Sequence, residues 1–571
     1  MDLSGFLAVA RGDEPADVAL RNGRVFDVFT GETIEADVAV AGGRIVGMGG
    51  DYEAKEELDV AGLVVCPGLI DSHVHIESSM VIPYQFARAV VPRGTTTVIA
   101  DPHEVANVAG KAGVRYMLSA SEGLPLQVLV ALPSCVPATR MGTAGAELTA
   151  EDLLSMADLP RVVGLAEFMN VPGAVLGLPG ALEKLEAFQG RVIDGHAPGV
   201  SGKWLQAYVG AGPGSDHECT TTDEMVEKLR LGMYVFLREA TGAKNLRDLL
   251  PAITESNSRR CAFSTDDRHA ADLIEEGHVD YLVRLAVSEG LDPATAIRMA
   301  TLNAAEWFRL HDRGAVAPGK RADLAVFTDL KDFHAAMVVA GGRVVARDGE
   351  PVGDWTQPEA GDLAVRDSIH VDWDKVSLEI PARGERARVI GVSPDQIVTQ
   401  HLVESPKVAG GLAVADVERD ILKIAVIERH RRTGNVGLGF VRGLGLKRGA
   451  IGGSVGHDAH NLTVAGCDDV SMMTAARAIG EMGGGLVAAA GEEVLASLPL
   501  PIAGLMSDQH LEAVRLQTDC LVTVAHELGS ELSDPYAILA FLPLEVIPAL
   551  KLTDQGLVDV EKFDFVPLWA D

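Results

Sequence analysis

No cysteine pair of the CxxC type occurs. The six cysteines, Cys66, Cys135, Cys219, Cys261, Cys467 and Cys520, are scattered, which excludes a disulfide frame or zinc knuckle and fits free thiols in a reducing compartment. Positive charge is also scarce: Lys plus Arg number 49 against 81 Asp plus Glu, a formal net charge of −32. Such a field repels phosphate backbones and anionic lipid, so the expected partners include no nucleic acid and no membrane. A small neutral or cationic substrate fits better. No apolar run approaches the roughly 18–20 residues of a membrane span. Met1-Asp2-Leu3-Ser4-Gly5 lacks the basic-then-apolar order of a signal peptide, and a cytoplasmic protein is expected. What the 571 residues do contain is an ordinary globular balance, 47% hydrophobic and 23% charged, with length for three or four domains unless one is a large barrel.

From Asp17 to Met48, short apolar runs alternate with turn signals at Asn22-Gly23, Thr30-Gly31 and Gly42-Gly43, which predicts antiparallel strands. The pattern returns after residue 322, where Ala340-Gly341-Gly342-Arg343-Val344-Val345 nearly copies Ala41-Gly42-Gly43-Arg44-Ile45-Val46. Residues 1–65 and 311–380 are expected to form one small β-sandwich domain around an insertion. Within 66–310, buried-type runs (97–100, 128–132, 162–165, 191–193 and 234–237) alternate with helical stretches, one of them Ala296–Phe308 opened by Asp292-Pro293. That alternation predicts an α/β domain, a (β/α)8 TIM barrel. Residues 381–571 read as a separate mixed α/β domain, with helices at Ser471–Met482 and from Leu511.

Barrel active sites lie where the strands end, so the polar residues closing each apolar run carry the chemistry. His73 and His75 stand two apart and can face the same way to grip one metal. Glu167, His196, His217 and Asp266 each close a later run. His103 and Glu104 follow the second strand, as substrate contacts, additional metal ligands or a hydrogen-bonded rim pair. Asp267 and Arg268 are read as braces of the last strand end. In the tail, His457, Asp458 and His460 sit in a Gly-rich loop able either to close over the barrel mouth or to serve packing. His269, His278 and His311 are read as structural.

The segment Pro67-Gly68-Leu69-Ile70-Asp71-Ser72-His73-Val74-His75, the later His, His and Asp, and the closing run 314–323 resemble the amidohydrolase superfamily of metal-dependent hydrolases. Within it, His73–Ser79, Asp101-Pro102-His103-Glu104, 194–199, 264–268 and Gly456-His457-Asp458-Ala459-His460-Asn461 are similar to the bacterial adenine deaminases. The likeness covers essentially the whole chain. Relatives that bridge two metals with a carboxylated lysine differ: residues 161–170 contain no Lys, and Glu167 is the available bridge. The resemblance implies two divalent ions, Mn or Fe with Zn as the alternative. His73, His75 and Asp266 would hold one, His196 and His217 the other, and Glu167 both. It implies hydrolysis of the C6 amine of free adenine to hypoxanthine and ammonia by a hydroxide shared between the metals, with Asp266 moving the proton. Glu77, Glu104 and Glu218 are the candidates for protonating the ring; His103, Glu218, His457 and Asp458 are candidate substrate contacts. It further implies a homodimer or higher homo-oligomer. The alternative is an amidohydrolase of a different aminopurine or of an N-acyl substrate.

Other motif matches are expected to be turns. Gly314–Arg321 almost spells a P-loop, but Arg321 stands where Ser or Thr must bind magnesium. Gly452-Gly453-Ser454-Val455-Gly456 spells a nucleophile elbow without a helix pattern after it. The cytidine-deaminase type of site requires P-C-x-x-C, which is missing.

Overall fold

The runs between Asn-Gly and Gly-Gly turns fold as strands in a computed structural model, which describes residues 1–360, 363–394 and 396–570. Ala16–Arg21, Val38–Ala41, Arg44–Met48 and Ala54–Asp59 form a four-stranded sheet. A seven-stranded sheet takes strands from both flanks, its seam being the antiparallel pair Val64–Pro67 with Leu324–Phe327, where Val65 faces Val326. Leu20, Val38 and Ile45 from the first sheet share one core with Val65, Leu324 and Val339 from the second. The expected sandwich is present, and the two near-copied segments are its hairpin turns.

Between the flanks run eight parallel strands: β1 (Leu69–Val74), β2 (Thr95–Ala100), β3 (Gln127–Leu132), β4 (Val162–Phe168), β5 (Val192–Gly195), β6 (Ser215–Asp216), β7 (Tyr234–Arg238) and β8 (Cys261–Ser264). β1–β5 pair as one sheet and β6–β8 as another. Backbone hydrogen bonds stitch the arcs into a barrel: Asp266 N donates to His73 O at 3.0 Å, and Gly214 N to Ile193 O at 3.0 Å. Ile70, Ile99, Leu129, Ala166, Val192 and Phe236 form one buried cluster with Ala304 and Phe308, so the barrel is a packed core with a polar mouth.

The helix expected over Ala296–Phe308 is two helices, Pro293–Met299 and Leu302–Trp307. Asp292 caps the first, accepting from Thr295 N at 3.0 Å. The break falls at Thr301, whose hydroxyl donates to Ile297 O at 2.5 Å while its backbone leaves the helical region (φ −142°, ψ −84°). A threonine hydroxyl competing for the backbone in this way ends a helix that apolar spacing alone would continue.

The C-terminal region builds an eight-stranded sheet around Ile421–Ile427 and Leu462–Gly466. Helix Asp469–Glu481 packs on the face carrying Val464 and Val487, whereas helix Leu511–Glu527 packs with Ala488 and Leu498 of the opposite face. Strand Ala450–Gly453 precedes Ser454, but no helix follows it; Ser454 Oγ donates to Gly504 O at 2.6 Å and accepts from Gly485 N at 2.7 Å, a structural role. The run 314–321 leads into a strand, with no phosphate-binding helix. This region docks on the barrel through Ser507 N to Met80 O (2.8 Å), Thr143 N to Asp554 Oδ1 (2.8 Å) and a shared apolar core. No described helix is long and apolar enough to cross a membrane, and the six cysteines are free thiols.

Candidate metal centre

Six ligand-type side chains converge at the C-terminal ends of the barrel strands. His73 lies on β1 and His75 just beyond it, their Nε2 atoms 3.0 Å apart. Glu167 comes from β4, His196 and His217 follow β5 and β6, and Asp266 follows β8. Glu167 spans the group. Its Oε1 lies 3.4 Å from His75 Nε2 and 3.8 Å from His73 Nε2; its Oε2 lies 2.6 Å from His196 Nδ1 and 3.3 Å from His217 Nε2. Asp266 Oδ1 stands 3.3 Å from His75 Nε2, and its Oδ2 accepts from Arg238 Nη1 at 2.9 Å.

The donor chemistry fits a cation. His75 Nδ1 lies 2.9 Å from the Asp101 carbonyl, which can only accept, so the neutral ring keeps its proton there. Its Nε2 lone pair is then turned towards Glu167 Oε1 and Asp266 Oδ1. Three acceptors facing one another are repulsive in a buried site unless positive charge lies between them. Without an ion, burial opposes a second proton on His75, yet Asp266 and Glu167 outweigh it and raise the ring well above its usual value. A cation would take the place of that proton. Groups close enough to share an ion include His73, His75 and Asp266; His73, Glu167 and His217; and His196, His217 and Glu218.

Burial draws His73 well below its usual value, and the neighbouring rings of His217 and His75 add to this. Burial opposes ionisation of Asp266, yet His75 and Arg238 outweigh it and hold the carboxyl well below the usual range. Burial likewise opposes ionisation of Glu167, and His196 and His217 outweigh it.

The other sequence candidates surround this group. Glu218 Oε1 sits 3.5 Å from His217 Nε2, 3.8 Å from His196 Nδ1 and on the Arg238 guanidinium. Glu77, in the turn after β1, accepts from Val105 N at 3.2 Å through Oε1, while its buried Oε2 has no hydrogen-bond partner. Burial pushes its carboxyl up to about 7. His103 Nδ1 lies 3.3 Å from Asp101 Oδ2 and 3.5 Å from Glu167 Oε1, with Nε2 3.4 Å from Glu104 Oε1. Glu104 also receives His457 Nδ1 at 2.6 Å and His460 Nε2, both from the C-terminal loop. Asp458 is buried beside them, its Oδ2 unpartnered and its carboxyl pushed by burial to about 6. Arg268 braces the end of β8 through Gly277 O (3.0 Å) and Glu239 O (2.7 Å). His278 is a core histidine, 3.0 Å from both Asp71 Oδ2 and Thr95 Oγ1.

Arg238 escapes a search confined to metal-ligand residue types, although it too closes a barrel strand. Reading every polar residue at a strand end would have found it.

A family model described as amidohydrolase family matches residues 64–345, and one described as adenine deaminase C-terminal domain matches 396–564. The chain is 52% identical to an adenine deaminase of Desulfatibacillum aliphaticivorans over 99% of both chains. It is 51% identical to adenine deaminase 2 of Carboxydothermus hydrogenoformans, again over 99% of both. A solved β-aspartyl dipeptidase of Fervidobacterium islandicum AW-1 aligns over 59% of this chain and 99% of its own at 17% identity, TM-score 0.45.

Proposed function

The chain belongs to the adenine deaminase family of amidohydrolases, and from that premise we propose that it hydrolyses free adenine to hypoxanthine and ammonia. The observation that carries the reading is Glu167, buried between two pairs of histidines with one oxygen turned to each. We assign His73, His75 and Asp266 to one divalent ion, His196 and His217 to a second, and Glu167 to both. An oxygen- and imidazole-rich set without thiolate suits manganese or iron, with zinc as the alternative. Such ions, when bound, lower the pKa of water towards about 7 and so supply a nucleophile at neutral pH.

The remaining work falls to side chains. Asp266 takes the proton of the attacking water and passes it to the amine leaving C6. Arg238 holds the Asp266 carboxylate by its outer oxygen, so the inner one stays turned to the centre. Glu77 and Glu104 are the carboxyl groups that serve the ring nitrogens; Glu104 is the one gripped at both oxygens. His103, Glu218, His457 and Asp458 complete the substrate wall. Residues 1–65 with 311–380, 66–310 and 381–571 are the proposed domain divisions. The free thiols and the acidic composition agree with a cytoplasmic enzyme.

The test is metal-free protein reloaded with Mn(II), followed by chromatography of adenine and hypoxanthine. Stoichiometric hypoxanthine and ammonia, abolished by a chelator, is the expected outcome. Fully loaded protein that leaves adenine intact overturns the substrate assignment.

A further inference from the structure

Glu104 lies in the first turn of helix His103–Ala109 on the barrel, yet most of the groups that hold its carboxylate come from the C-terminal domain. His457 Nδ1 reaches Oε1 at 2.6 Å, and His460 Nε2 reaches Oε2. These three side chains also have the separations of a metal triad. The far side of the His460 ring decides between the two readings. Gly456 N donates to His460 Nδ1 at 3.2 Å, so that nitrogen carries the lone pair and the proton of the neutral ring sits on Nε2. A metal on Nε2 would drive the proton to Nδ1, against the Gly456 N–H. His460 is therefore a hydrogen-bond donor to Glu104.

The loop carrying His460 is anchored for this task. Arg429, fully buried just beyond the end of strand Ile421–Ile427, donates through Nε to His460 O and through Nη2 to Ala503 O at 2.9 Å. His430 Nε2 donates to Ala459 O at 2.7 Å, and Asn461 Nδ2 reaches back to Thr143 O of the barrel at 3.0 Å. The His457 ring stacks on Phe541, centroids 4.5 Å apart. A rigid sheet thus presents one N–H of fixed tautomer to a carboxylate that adjoins the candidate centre through His103.

We propose that His460 is a positioning residue for the deamination: it locks the Glu104 carboxylate in its working orientation, making the C-terminal domain a structural part of the active site. The proposal rests on the function assigned above, and wild-type turnover of adenine is measured first, so that a failure of that assignment is seen separately. Removing a group that orients a metal ligand costs about 10- to 100-fold in activity, and a partner that orients a working carboxylate is expected to act on the same scale. The proposal predicts a kcat loss of that size for His460→Ala, with KM changed less and metal content equal to wild type by elemental analysis.

Two conservative variants separate positioning from simple loop support. Gln places an N–H near the lost Nε2 and keeps the contact to Glu104; Asn reaches only the Nδ1 position and keeps the contact to Gly456. His460→Gln is expected to restore most of kcat, and His460→Asn to behave as His460→Ala. Rescue by Asn and not by Gln overturns the proposal. A double-mutant cycle reads the same question independently: in a Glu104→Gln background, His460→Ala should cost nothing further. A full additional loss there, or loss of metal from His460→Ala, refutes action through Glu104. Should His460→Ala fail to fold, the Gln and Asn variants decide.

Discussion

Asp266 holds a left-handed backbone conformation, φ 55°, while its amide and carbonyl join the ends of β8 and β1. Most residues lose about 1–2 kcal/mol in that region, and Asp and Asn tolerate it best. Asp266→Asn therefore keeps the seam and the side-chain shape and changes only the charge. The variant should fold as wild type, retain much of its metal and lose kcat by about 10²–10⁴-fold, the span of a general acid–base contribution. Steady-state kinetics with metal analysis tests this; near-normal turnover removes Asp266 from the proton path. At this scale the sequence was informative because barrel strands deliver their last residues to one mouth, so His73, His75, Glu167, His196, His217 and Asp266 could be gathered without coordinates. His460 taking hold of Glu104 was not legible. No local periodicity records which distant carboxylate a loop will meet.

The two near-copied hairpins show how an element can depend on a single hydrogen atom. Gly43 and Gly342 both have positive φ, and the turns press together: a Cβ on Gly342 would stand 2.9 Å from Val40 Cγ1 and 3.2 Å from Gly43 Cα. Gly341, with φ 56°, has open space around the same position. Gly341→Ala should cost only the conformational part, about 1–2 kcal/mol. Gly342→Ala should cost about 1–3 kcal/mol more through overpacking. Denaturant midpoints of the two variants check the difference; equal midpoints would mean that the turns yield without strain. Turn chemistry made the hairpins readable from sequence, because Gly-Gly flanked by apolar alternation has few other uses. The break at Thr301 was not readable, since apolar spacing runs through it and the deciding bond is one hydroxyl to Ile297 O.

Across the whole molecule, the barrel and C-terminal domain meet through polar groups that lie out of water. Glu545 is 5% exposed and accepts from Thr139 Oγ1 of the barrel at 2.5 Å. Burial pushes its carboxyl from 4.5 up to about 7, with Asp458 and Asp554 adding to the rise. The folded protein thus retains a proton that the unfolded chain releases between those values. The stability from this group is complete below pH 4.5 and is lost as pH rises through about 7. A shift of this size corresponds to about 3 kcal/mol at 1.36 kcal/mol per unit. Glu545→Gln keeps an acceptor for Thr139 and removes the ionisation. The variant should match wild type in urea unfolding at pH 4 and exceed it by up to about 3 kcal/mol at pH 8. Parallel stability profiles would mean that Glu545 reaches water in the folded protein. The same docking holds the loop of His457 and His460 over the barrel mouth, so loosening of this contact at high pH should lower kcat before the barrel itself unfolds, and Glu545→Gln should shift that loss to higher pH.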